Sequence, residues 1–149
     1  AIEAGDIKRV DILNNDPFLS TIYLGEMTPR EIEQFIIDKY NNGTPENVDK
    51  ESHYPYFRSD MAYEIVLGDS PAAMPDAVDV LLALDEDRAY RVAMCNYIAD
   101  NYIDKTVVAK QLRPTGVTVR EAMLDYVRSH DEPLRADNTV YQTERKAQK

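Results

Sequence analysis

A chain of 149 residues, 44% apolar and 30% charged, is long enough to bury one hydrophobic core without metals or disulfides. It holds no apolar run near the roughly 20 residues that cross a bilayer, and its first residues, AIEAGDIKRV, lack the apolar centre of a signal peptide, which predicts cytoplasmic synthesis without secretion or membrane contact. The formal net charge of -10 is uneven: residues 1 to 104 carry 8 Lys and Arg against 21 Asp and Glu, a balance of -13, and residues 105 to 149 carry 9 against 6, a balance of +3. An acidic body repels nucleic acid over most of its surface, and the change of sign near residue 105 suits head-to-tail docking between copies.

In chain order, residues 1–27 hold two runs rich in β-branched and apolar residues, IKRVDIL and FLSTIYL, divided by Asn14, Asn15, Asp16 and Pro17. This pattern predicts a β-hairpin or an extended arm. Thr28 then offers an N-cap, Pro29 suits the first helical position and Glu31 completes a capping box. Ile32, Phe35, Ile36 and Tyr40 recur at spacings of three and four, so a helix runs to about Asn42 and stops at Gly43. Without a secretory signal, Asn42-Gly43-Thr44 reads as that stop rather than as a glycosylation site. Residues 44–57 carry two prolines and no period, and read as a loop entering the cluster Tyr54, Tyr56 and Phe57.

Three further helical segments are predicted before residue 105. SDMAYEIVLG forms a short one ending at Gly68. A second starts at Ser70-Pro71 or Met74-Pro75 and presents Met74, Ala77, Val78, Leu81 and Leu82 on one face. After a break at Asp85-Glu86-Asp87, DRAYRVAMCNYIADNYID forms a third, with a narrow polar strip of Asn96, Asp100 and Asp104 and with Cys95 as a small buried hydrophobe. Its Tyr90, Tyr97 and Tyr102 suit packing against another protein.

Residues 105–127, KTVVAKQLRPTGVTVREAMLDYV, predict helices over about 106–112 and 119–130 around a turn, the second capped by Thr118 and Glu121. The layout is that of a helix-turn-helix, for which Lys105, Lys110, Arg113 and Arg120 are the candidate DNA contacts. The turn RPTGV is longer than that motif uses, and Glu121 and Asp125 offset Arg120 and Arg128. Residues 131–149 form a polar tail whose only apolar couple is Val140-Tyr141. With Arg145 and Lys146, that couple is the remaining candidate for partner binding.

No site chemistry is legible. His53 and His130 are far apart, Cys95 stands alone, and the five glycines are scattered singly, which argues against a metal centre, a phosphate-cradling loop or any cofactor. Acidic residues are so numerous that Asp85-Glu86-Asp87 reads as a solvated helix end rather than an acid-base pair. The sequence therefore predicts a mainly α, single-domain bundle of five to six helices over 28–130, with an N-terminal arm at 1–27 and a tail at 131–149. Its predicted role is non-enzymatic: an assembly subunit, such as a virus-particle connector, that forms a homo-oligomer or docks in a larger complex, taking a protein partner through its termini and tyrosines. A DNA-binding regulator using residues 105–130 and an acidic DNA mimic are the alternatives.

Overall fold

The computed structural model describes residues 5–42, 62–67, 78–82, 84–135, 140 and 142–146. Two compact units emerge, each built from separated stretches of chain: Ala1–Glu26 with Arg91–Asp137, and Met27–Tyr90 with Asn138–Lys149. Five helices and six strands are interspersed along the described residues, so the fold is α/β and the predicted helical bundle is incorrect.

In the first unit, α1 (Arg9–Asn15) occupies the segment expected to be a strand or arm. Asp11 accepts the backbone N–H of Lys8 at 2.7 Å, closing the first turn, and Ile12 is the buried anchor. Strand β1 (Thr21–Met27) then runs between β4 (Tyr90–Cys95) and β5 (Leu112–Thr118) in a three-stranded sheet. The long helix expected over 87–104 is thus divided. Its first half is β4, where Tyr90, Val92 and Met94 are half-buried and Arg91 and Ala93 exposed, a period of two. Its second half is α3 (Asn96–Tyr102), and Cys95 is the half-buried residue where the two meet.

Helix α4 (Lys105–Gln111) is capped by Asp104, whose Oδ1 accepts from the amides of Thr106 and Val107 at 2.7 and 3.4 Å. The predicted turn RPTGV proves to be most of β5, paired antiparallel with β1. Pro114 is compatible because β5 is an edge strand. Gly116, at φ +75°, lies where the register slips: Thr21 faces Thr118, but Tyr23 faces Pro114. The two helices therefore flank a strand, and residues 105–130 form no helix-turn-helix. Helix α5 (Val119–Arg128) carries the expected capping box, with Thr118 Oγ1 accepting from the Glu121 amide and Glu121 accepting from the Thr118 amide. It packs on α1, where Asn15 reaches the Met123 sulfur.

In the second unit, α2 (Pro29–Asn42) has the predicted bounds and box, with Thr28 and Glu31 exchanging bonds of 2.7 and 3.3 Å. Ile32, Phe35 and Ile36 are buried, and the helix packs on β3 (Val78–Leu82). The segments expected as short helices are strands here: β2 (Tyr63–Leu67) pairs antiparallel with β3. Five-residue runs with four apolar residues each fit either period, and the β-branched Ile65, Val66, Val78 and Val80 tip them to strand. The supposed loose tail contributes β6 (Gln142–Lys146), parallel to β2 from Tyr63↔Gln142 to Leu67↔Lys146. Ordering comes from β2, whose ladder supplies backbone partners that the polar tail lacks by itself. The expected stops at Gly43 and Gly68, the loop 44–57 with His53, Tyr54, Tyr56 and Phe57, and the starts at Ser70 and Met74 lie outside the described residues.

Candidate functional site

The carboxyl end of β4 feeds directly into α3, and this junction is anchored from the side by Asn96, whose Oδ1 accepts the Thr21 amide of β1 at 2.9 Å. One residue on, Tyr97 is 50% exposed. A seven-residue helix is far too short to hold itself, so α3 is fixed by its buried residues Ala99 and Tyr102 and by Ile103 just beyond. The Tyr97 and Tyr102 rings meet edge-to-face, centroids 5.9 Å apart and planes at 67°. Asn101 Nδ2 donates to the Tyr97 carbonyl at 2.8 Å. Asp104 lies two residues past Tyr102, its carboxyl held below the ordinary range chiefly by the Thr106 amide, then by the Thr106 hydroxyl and the Val107 amide, against a small opposing effect of desolvation.

The other candidate partner residues are dispersed or otherwise engaged. The Tyr90 hydroxyl accepts the Asp85 amide at 3.0 Å and its ring lies 5.1 Å from the Arg88 guanidinium carbon, closing the turn at 85–90. That turn is the break expected at Asp85-Glu86-Asp87. Tyr102 is buried, and Val140 is exposed outside any element. Arg145 and Lys146 stand opposite Val66 and Leu67 in the β2–β6 ladder, while Tyr141 lies outside the described residues.

The residues named as DNA contacts are likewise divided. Lys105 and Lys110 are exposed on α4. Arg113 is turned onto the end of that helix, donating to the carbonyls of Ala109, Lys110 and Leu112 at 3.3, 3.2 and 2.8 Å. Arg120 donates from Nε to the Asp16 carbonyl at 2.7 Å, so it braces the loop before β1. In that loop Asp16 is buried and accepts from the Ser20 amide and hydroxyl, and the Val119 amide donates to the Ser20 carbonyl. The loop presents Phe18 at 87% exposure and holds Leu19 at φ +56°. Sequence reasoning missed it because Asn-Asn-Asp-Pro reads as an ordinary turn.

Among the described residues no three His, Cys, Asp or Glu side chains gather to hold a metal ion, and no helix is long and apolar enough to cross a membrane. No family model matches the chain, and no curated protein resembles it in sequence. In three dimensions it is similar to the 5'-nucleotidase precursor of Thermus thermophilus, with a TM-score of 0.64 and 19% identity, over 93% of this chain and 28% of that one. It is also similar to the NAD nucleotidase of Haemophilus influenzae, with a TM-score of 0.69 and 16% identity, over 95% and 27%. The chain thus spans little more than a quarter of the length of either neighbour.

At such identities the likeness concerns fold, and it identifies the α/β arrangement as one that occurs within nucleotidases. It overturns the assembly subunit and virus-particle connector, which rested on a helical bundle gripping neighbours by loose termini. The DNA regulator falls with its helix-turn-helix. The DNA mimic, inferred from charge alone, gives way to the same likeness.

Proposed function

We propose that this chain supplies a nucleotide-recognising portion of a nucleotidase-type enzyme, with Tyr97 as the platform for the base. The observation that carries the reading is the position of Tyr97: a half-exposed ring two residues beyond the carboxyl end of β4, in a fold shared with two nucleotidases. An exposed aromatic ring at such a place offers a π face to any base, worth about 1–3 kcal/mol per stacked base whatever its identity. Recognition is the role proposed, because an aromatic ring offers a stacking surface for a base.

Calorimetric titration with adenosine, AMP, NAD and ribose 5-phosphate tests it. Ligands with a base are expected to bind at least about tenfold more tightly than ribose 5-phosphate, and Tyr97→Ala to remove most of that advantage. Equal affinity for AMP and ribose 5-phosphate, or an unchanged Tyr97→Ala protein, would contradict the proposal.

A further inference from the structure

We infer that Tyr102 and Asn101 are positioning residues that fix the plane of the Tyr97 ring, so that the base-binding face is set before a ligand arrives. The inference rests on the recognition reading above. Three observations carry it. Tyr97 is the second residue of a helix of under two turns, and at 50% exposure burial restrains its ring less than it would a core residue. Tyr102 is 9% exposed, and its ring meets that of Tyr97 edge-to-face at 5.9 Å. Asn101 adds a side-chain bond of 2.8 Å to the Tyr97 carbonyl, holding the backbone from which the ring projects.

Edge-to-face contact is suited to this task. It restrains rotation of the ring through the attraction between the positive edge of one aromatic ring and the negative face of the other. With half of its surface exposed, the Tyr97 ring stays accessible to a base while its partner restrains it. Tyr102 itself is buried, next to Ile103 and three residues from Ala99, so the restraint is referred to the packed interior of the unit. A ligand that meets a fixed ring loses less freedom on binding than one that must first order it. The pair is therefore a device for specificity towards ligands with a flat aromatic group: ribose 5-phosphate gains nothing from it.

The test compares Tyr102→Phe, Tyr102→Leu, Asn101→Ala and Tyr97→Ala in the full chain, with adenosine and ribose 5-phosphate as probes. Tyr102→Phe keeps the ring and should bind adenosine within about twofold of the parent. Tyr102→Leu keeps an apolar side chain but no ring, and should weaken adenosine about three- to tenfold, the effect expected of one lost aromatic pair. Ribose 5-phosphate should bind all four variants alike. A ligand-free readout accompanies this: the Tyr97 ring proton signals should be displaced from free-tyrosine positions in the parent and in Tyr102→Phe, and return towards them in Tyr102→Leu. Tyr97 signals at free-tyrosine positions in the parent would overturn the inference, as would a Tyr102→Leu protein with parental adenosine affinity. If Tyr97→Ala lowers adenosine affinity while Tyr102→Leu does not, the positioning role alone fails. If Tyr97→Ala has no effect, the recognition reading fails and takes this role with it.

Discussion

Replacing Gly25 by alanine puts the architecture of the first unit to a quantitative test. Gly25 stands opposite Leu112 in the β1–β5 ladder, where α4 ends and β5 begins. A Cβ there would lie 2.2 Å from the Gln111 carbonyl oxygen, 3.0 Å from its carbon and 2.7 Å from Leu112 Cδ2. Two of those three atoms are backbone, and the third belongs to a side chain that is 2% exposed, so none can swing aside. Relief requires the α4–β5 junction to lift from β1. Overpacking of this kind costs about 2–4 kcal/mol, the upper end of what an added methyl does in a packed core. With a urea dependence of about 2 kcal/mol per molar, the unfolding midpoint should fall by about 1–2 M, and Tm by roughly 5–15 °C. Gly116→Ala is the control: its Cβ meets nothing within 4 Å, and only the left-handed φ of +75° penalises it, by about 1–2 kcal/mol. Urea denaturation followed by circular dichroism ranks the two. If Gly25→Ala were no more destabilising than Gly116→Ala, the close approach of the α4–β5 junction to β1 would be wrong.

Three further outcomes follow from the same contacts. Asp104 and Glu121 both have depressed carboxyl pKa values, the latter chiefly through the Thr118 amide and then its hydroxyl, so each stabilises the fold above its unfolded pKa and loses that contribution as pH falls through the folded value. Asp104→Asn and Glu121→Gln should therefore flatten the decline of stability on the acid side of the ordinary carboxylate range, measured as Tm against pH; an unaltered slope would refute the caps. Leu19→Gly removes a left-handed penalty from an exposed residue and should be neutral or stabilising by up to about 1 kcal/mol, whereas Leu24→Gly, in β1, should destabilise by a similar amount; thermal melts that reverse this order would contradict the φ of Leu19. Truncation after residue 137 removes β6 and should strip hydrogen-exchange protection from those β2 amides that face it, with retained protection arguing against the parallel pair.

The legible parts of the fold were those written in short-range chemistry. Both capping boxes, Thr28 with Glu31 and Thr118 with Glu121, mark true helix starts, because their bonds span three residues and need no tertiary context. The strands were not legible, since short, mostly apolar runs such as YEIVL satisfy both periods and are decided by the sheet they join. Pro114 and Gly116 read as a turn because an edge strand with a slipped register tolerates the same residues that turns prefer. Of the site, Tyr97 and Tyr102 stood out as tyrosines on one helix. Their roles did not, because which of the two rings is buried is decided by the packing of α3 within its unit and not by their spacing.

The central claim, that the end of β4 and the start of α3 form a base-recognition face, is tested most directly by mapping amide and ring signals during an adenosine titration by NMR. Saturable shifts should concentrate at Tyr97 and its neighbours in α3, and should be absent when ribose 5-phosphate replaces adenosine. Shifts centred elsewhere, or none at millimolar adenosine, would contradict it.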